Sequence, residues 1–376
     1  MVTPFPLISV SGTPYERGRQ YGRAARERVR RSAAMYSGTL DRLGLDDAGK
    51  ARLIDGFLGV IADFEPAYVE EMKGIADGAE VKLSEIVMIN ARTEVVAKAR
   101  MEHASRAAVP ADEGCTGAVI LPEASADGTL VHGQNWDWRA ECVDTAIVLR
   151  VEREDGPDFL TFVEAGGLAR SGLNAAGISI TANYLESDLD HRQVGVPLVC
   201  LRRKVLEQEH VSAAFRAVAM APKACSNNMM IASAEGFALD FECAPNEAFL
   251  VYPDDGMIVH ANHFTSPIAL AKLVDRGVTR FPDTLYRDWR VRKLLKETAK
   301  PGMDDLKRAL ADDFAAPFSV CRPPAPTPDG DTMATVAAIV MSPGKGIMDV
   351  APLPSEGGAY TRYTLHGAAA AGAAAE

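Results

Sequence analysis

The 376-residue chain has no apolar run approaching the ~18 residues of a membrane span. Its start, Met-Val-Thr-Pro-Phe-Pro, has neither a charged first segment nor an unbroken apolar one, so the expected location is cytoplasmic, with no membrane partner. Positive charge is in deficit: 40 Lys and Arg face 51 Asp and Glu, and the net charge of −11 repels phosphate backbones. Nucleic acid is therefore not an expected partner. Cysteine is sparse and scattered, and Cys115, Cys142, Cys200, Cys225, Cys243 and Cys321 form no Cys-x-x-Cys. No His pair at ligand spacing completes a zinc site, so no metal is expected and most of these thiols should be buried and reduced. Gly-x-Gly-x-x-Gly and phosphate-loop patterns are missing as well, and nothing in the sequence asks for a cofactor.

What is present is a globular composition, 47% hydrophobic and 24% charged, long enough for one large domain or two. The first third reads as helices. Thr13-Pro14-Tyr15-Glu16 combines a capping threonine, a first-turn proline and a capping-box glutamate, which predicts one helix from there towards Leu40. That helix carries Arg17, Arg19, Arg23, Arg26, Arg28, Arg30 and Arg31 with Glu16 and Glu27 interspersed, a solvated or interface face rather than an anion-binding surface. Leu53, Phe57, Val60, Ile61 and Phe64 mark a second helix ending near Pro66; a third runs to about Gly78 and Ser84 opens a fourth. From about Lys98 to Glu113 a polar, Ala-rich stretch reads as an exposed linker.

At Cys115 the pattern changes to short β-type runs: 116–121, 129–134, 144–151 and 158–163, joined at Asp127-Gly128 and Asp155-Gly156 by hairpin turns. Further strands are expected at 177–183, 229–234, 237–243, 335–341, 346–350 and 359–365, with helix at 196–220 and 283–313. The expected fold class is α+β, with two antiparallel sheets packed face to face and helices on both outer faces. The tail from Gly367 to Glu376 is expected to be disordered.

The peptide bond between Gly114 and Cys115 lies where the linker runs into the first strand. Cutting there frees an α-amine whose pKa is about 7.7–8, low enough to accept a proton from the thiol of the same residue. One residue then supplies nucleophile and base. The same thiol attacking the Gly114 carbonyl accounts for the cut, and glycine obstructs that approach least.

The run Gly114-Cys115-Thr116 followed by His132-Gly133-Gln134-Asn135-Trp136-Asp137 resembles the acyl-coenzyme A:6-aminopenicillanic acid acyltransferase family of self-processing N-terminal-nucleophile hydrolases. The likeness extends over nearly the whole chain. It takes in Gly12-Thr13-Pro14-Tyr15-Glu16, Gly74-Ile75-Ala76, Glu164-Ala165-Gly166, His260-Ala261-Asn262-His263 and Pro317-Phe318-Ser319-Val320-Cys321-Arg322. The resemblance implies a four-layer αββα sandwich, with 1–114 as a helical pro-region, 115–366 as the catalytic part and 367–376 as a tail. It also implies that Cys115 is the nucleophile, that Asp137 holds the new ammonium, that Asn262 donates to an oxyanion and that Arg322 stabilises negative charge or pairs with Asp137. Thr116 and Ser319 are candidates for supporting roles. Cleaved chains should stay associated, and a homo-oligomer is compatible with the sequence. Two departures stand out: Gly117 replaces a second threonine, and Asp240-Phe241-Glu242-Cys243-Ala244 stands where the family has Glu-Phe-Ser.

The leading functional expectation is hydrolysis of a small N-acyl amide through a Cys115 thioester. The first alternative is acyl transfer from a thioester or amide donor to an amine. Further alternatives are a non-catalytic binding protein on the same scaffold and an unprocessed esterase pairing Cys115 with His260 or His263.

Overall fold

Four glycines decide how the first third packs. In the computed structural model, which describes residues 2–103, 114–327 and 330–366, helices Pro14–Ala24 and Pro66–Ala79 cross with their backbones in contact. A Cβ on Gly18 would lie 2.0 Å from the Glu71 carbonyl oxygen, and one on Gly74 would lie 2.2 Å from that of Tyr15. Gly22 and Gly78 repeat the approach one turn on. Only residues without a side chain permit it.

The helix expected to run unbroken to Leu40 is interrupted after this crossing. At Ala25 (φ −108°, ψ 16°) it divides into Pro14–Ala24, which follows Pro66–Ala79, and Arg26–Arg42, which turns to pack on Leu83–Asn90. The arginine-rich face is an interface: Arg17 pairs with buried Glu71, Arg26 and Arg30 with Glu80, and Arg28 donates to the carbonyls of Val143 and Ala146. Asp47–Phe64 supplies the second expected helix, and Arg92–His103 continues into the start of the stretch read as a linker. The rest of that linker, 104–113, and the tail from Gly367 lie outside the described residues.

Two sheets follow. The first has eight strands in the order Leu7–Val10, Ala146–Val151, Phe159–Glu164, Ser171–Asn174, Ile178–Tyr184, Asn227–Ser233, Phe237–Ala244 and Glu247–Val251. All its neighbours are antiparallel except Leu7–Val10, which joins Ala146–Val151 in parallel. The second runs Met257–His260, Gly114–Ile120, Val131–Arg139, Thr332–Ser342, Ile347–Pro352 and Thr361–Thr364, with Ala325–Pro326 beside the start of Thr332–Ser342. Val119, Leu130, Met230, Ala232 and Ile258 fill the space between the sheets. Helices Leu198–Leu206 and Val211–Met220 cover the first sheet, and Thr284–Lys296 and Met303–Leu310 the second. The layers are αββα, as expected.

Both long helices predicted in the second part are split. Asn174 reaches across from the first sheet and its Nδ2 donates to the carbonyls of Leu206 and Gln208, ending one helix by a tertiary cap. Pro301-Gly302 separates the other pair. The first third stays tied to the remainder through Glu71 with Arg203, Arg92 with Glu164, and Tyr21 Oη, which accepts from Gly166 N. No described helix is long and apolar enough to cross a membrane.

Candidate active site

Alternation along the strand Gly114–Ile120 sets where each side chain goes. Ala118 and Ile120 pack on Val291, Leu295 and Leu306 of the outer helices, whereas Val119 packs on Met230 and Ala232 of the opposite sheet. Cys115, in step with Val119, therefore points between the sheets, where it is 1% exposed. Its Sγ lies 3.7 Å from Arg170 Nη2, and that guanidinium sits over the Trp136 ring at 4.3 Å. Gly117 is also in step, and a Cβ there would meet Met230 Cε at 2.3 Å, so a threonine at this position would require the Met230 side chain to move.

The register places Gly114 opposite Asp137 and Cys115 opposite Trp136. Trp136 turns inward onto Phe162, so Asp137 turns the other way, towards Thr335 and Arg322. Its Oδ1 accepts from Thr335 Oγ1 at 2.7 Å and its Oδ2 lies 3.3 Å from Arg322 Nε. A Cβ on Gly114 would stand 2.8 Å from Asp137 Oδ2 and 3.0 Å from Arg322 Cζ, so a larger residue before the cysteine would push this pair away from where it packs. Asp137 Oδ2 is buried and has no hydrogen-bond partner among the described residues. Burial raises the Asp137 pKa, against the opposing pull of Arg322 and Arg287.

The backbone N–H of Cys115 donates to Asn262 Oδ1 at 2.9 Å. Asn262 is held in turn: its N–H donates to Thr284 Oγ1 at 2.7 Å and its Nδ2 donates to the Tyr184 carbonyl at 2.8 Å. The loop that carries it is clasped by Glu242, which accepts from His260 Nε2, Thr265 N, Thr265 Oγ1 and Ser266 N. Burial opposes a charge on His260, but Asp240 and Glu242 outweigh it and push its pKa up to about 9. The Asp240/Glu242 departure from the family pattern thus has a structural use, a carboxylate pair clamping an imidazolium. Both ring nitrogens of His260 are engaged, the second on the Ala261 carbonyl, and His263 Nδ1 contacts Thr284 Oγ1. Neither arrangement serves a Cys/His pair.

Gly114, Cys115, Thr116, Asp137, Asn262 and Arg322, predicted from separate stretches, meet at one end of the second sheet. Ser319 does not join them through its hydroxyl, which donates to the Cys321 carbonyl and shapes the turn before Arg322. Four neighbours were not foreseen: Arg170, Thr335, Asp283 and Arg287. Asp283 bridges Arg322 Nη2 and Arg287 Nε, and fully buried Arg287 reaches the Cys115 carbonyl, Thr116 Oγ1 and Asn262 Oδ1. The i,i+4 pair Asp283/Arg287 is visible in sequence, but it reads there as any helix-surface ion pair.

Two antiparallel sheets between helical layers, with a buried cysteine at the head of a central strand, form the sandwich of the N-terminal-nucleophile hydrolases, enzymes of cysteine-dependent amide and acyl chemistry in this branch. The non-catalytic reading gives way here. The chain belongs to the acyl-coenzyme A:6-aminopenicillanic acid acyl-transferase family, whose model matches residues 124–351. It is 30% identical over 328 residues, 84% of each chain, to the 40 kDa form of the acyl-coenzyme A:6-aminopenicillanic-acid-acyltransferase of Emericella nidulans. Among solved structures it is similar to a conjugated bile acid hydrolase mutant from Clostridium perfringens (TM-score 0.46, 13% identity, covering 67% of this chain and 92% of that one). It is also similar to a penicillin V acylase from Agrobacterium tumefaciens (TM-score 0.42, 13% identity, 63% and 83% covered).

Proposed function

We propose that the chain cuts itself between Gly114 and Cys115 and that the freed Cys115 then carries an acyl group, as a thioester, from a thioester or amide donor to an amine acceptor. The observation that carries this reading is the grip on the scissile unit: Asn262 Oδ1 on the Cys115 nitrogen, and Asp137 with Arg322 packed on Gly114. Once cut, the nitrogen becomes an amine able to take the thiol proton, and Asp137 Oδ2, ion-paired with Arg322 but without a hydrogen bond among the described residues, can accept from the ammonium that results. Asn262 Nδ2 spends one hydrogen on Tyr184 and keeps the other for an oxyanion on the acyl carbon.

Hydrolysis shares the first half-reaction. Transfer is placed ahead of it, reversing the order expected from sequence, because the Emericella nidulans protein to which the chain is similar over 84% of both lengths is named an acyltransferase. Residues 1–114 would become one chain and 115–366 the body of the other. The strand Leu7–Val10 within the first sheet and the buried Glu71–Arg203 pair favour their staying together.

The test combines intact mass with product analysis. Purified protein should comprise chains of 114 and 262 residues that co-purify, whereas Cys115→Ala should remain one 40.2 kDa chain without activity. An acyl thioester supplied with an amine should yield the N-acyl amine, and hydroxylamine should divert it to the hydroxamate. Free acid as the sole product, at saturating amine, would restore hydrolysis as the main reaction. An active enzyme that stays uncut would end the N-terminal-nucleophile reading.

A further inference from the structure

Two clefts lie beside the Cys115 site, and the first third of the chain walls both. Arg170, at the thiol, lines one of them with Val163 and Val199. Tyr184, whose carbonyl holds Asn262 Nδ2, lines the other with Tyr36 and Trp138. Arg92 and Thr93, at the start of the helix Arg92–His103, belong to both. Along the aromatic cleft the helix continues the wall with Val96, Ala97 and Arg100, so positions 93, 96, 97 and 100 present one helical face to it. We infer that this cleft seats the amine acceptor, that it takes an amine with a flat aromatic body, and that Ala97 sets how large that body can be. This rests on the transfer reading above.

Register assigns the aromatic cleft to the acceptor. Cys115 stands opposite Trp136 and Gly114 opposite Asp137, so Trp138 lies beyond the bond to be cut, on the amine side of Cys115. In transfer the acceptor nitrogen bonds to the thioester carbon, its proton passes to the Cys115 amine, and that proton goes on to the sulfur as the thioester bond breaks. The acceptor must therefore lie against the Cys115 nitrogen, which Asn262 holds, and Tyr184 joins Asn262 to this cleft. The cleft at Arg170, on the sulfur side, is left for the acyl chain.

The walls are fixed and flat. Trp138 Nε1 donates to Tyr36 Oη at 3.3 Å, and Tyr36 Oη donates to Glu164 Oε1. Arg92 Nε donates to Glu164 Oε2 at 2.7 Å while its guanidinium covers the Trp138 ring at 4.9 Å. Rings held by their polar tips keep their apolar faces in place, and such faces reward a planar guest over a flexible chain. Glu164 is the carboxylate lining the clefts among the described residues, and it is engaged by Arg92 and Tyr36. The cleft is thus not built around an ammonium, and the acceptor enters as the neutral amine that reacts. Ala97 has the smallest side chain on the helical face and is half-buried there, so its methyl group leaves the room that a ring needs.

Cleaved wild type and full-length, cleaved Ala97→Leu are assayed with one short-chain acyl thioester and three acceptors: benzylamine, ethanolamine, which is of similar basicity, and hydroxylamine. Wild type should show kcat/KM for benzylamine about tenfold or more above that for ethanolamine. In Ala97→Leu the loss for benzylamine should exceed the loss for hydroxylamine by about tenfold, carried mainly by KM. A residue that merely supports the fold would lower both acceptors together, so an unchanged benzylamine-to-hydroxylamine ratio overturns the inference. Equal use of benzylamine and ethanolamine by wild type overturns it as well. If Ala97→Leu is not recovered cleaved, Tyr184→Leu, which keeps the carbonyl on Asn262 and removes the flat wall, should lower the same ratio, and failure to do so overturns the inference. If neither variant is recovered, the wild-type preference between benzylamine and ethanolamine decides alone. A wild type that is uncut, or that gives free acid and no hydroxamate, refutes the underlying reading instead.

Discussion

Replacing Asn262 separates its two faces. Asn262→Ala removes the acceptor of both Cys115 N and Arg287 Nη2 and the donor to Tyr184, three contacts of 2.8–2.9 Å in a fully buried position. Stranding a buried charged donor and a carbonyl costs about 1–3 kcal/mol each, so the folded protein should be less stable by a few kcal/mol yet still fold. The larger effect should fall on turnover. An oxyanion donor contributes about 2.7–4 kcal/mol to the barrier, roughly a hundred- to thousand-fold in kcat, with little change in KM. Asn262→Asp is the informative companion: it keeps oxygens for Cys115 N and Arg287 but has no N–H for an oxyanion. If Asn262 acts as the donor, both variants should lose kcat to a similar degree. The assay is steady-state transfer to hydroxylamine by cleaved enzyme across several pH values, with the cleaved fraction measured by mass. Asn262→Asp turning over within a few-fold of wild type while Asn262→Ala is inactive would refute the donor role and leave Asn262 as an acceptor that holds the amine.

The charge clamp on His260 makes stability depend on pH. Its folded pKa of about 9 exceeds the ordinary 6.5, so the protonated form favours folding: this contribution, on the order of 3 kcal/mol, is complete below pH 6.5 and disappears as pH rises through 9. Thermal unfolding of uncleaved Cys115→Ala should show that loss, and His260→Gln should flatten it; an equal slope in both would assign the loss to other groups. At the helix crossing, Gly18→Ala should destabilise by about 3 kcal/mol or more, because its Cβ would fall 2.0 Å from the Glu71 carbonyl and two backbones must part. Gly56→Ala, on an open helix face, should instead be neutral or mildly stabilising, and similar melting temperatures for the two variants would contradict the crossing geometry.

Much of this molecule is local in origin. The cap at Thr13, the Asp127-Gly128 turn and the alternating runs after Cys115 act over a few residues, so the element types, the helix-to-strand change at the junction and the layered class were legible without coordinates. Leu7–Val10 was not, because a four-residue strand pairing in parallel with residues some 140 positions away has no periodicity of its own. Nor was the break at Ala25, after which the chain turns from the crossing with Pro66–Ala79 to pack on Leu83–Asn90, because no local sequence signal marks it. At the site the division is sharper. Cys115, Asp137, Asn262 and Arg322 stood in motifs that could be read one by one, since each is short and contiguous. Arg287 lies 172 positions from Cys115 in a helix whose charge pattern looks solvent-facing, and only the packing of that helix on the strand Gly114–Ile120 buries its guanidinium against the cysteine carbonyl. A side chain's neighbours along the chain set its helix or strand, but which charges meet in the dry space between layers is decided by residues far apart in sequence, and there tertiary structure alone turned a surface-like arginine into part of the site.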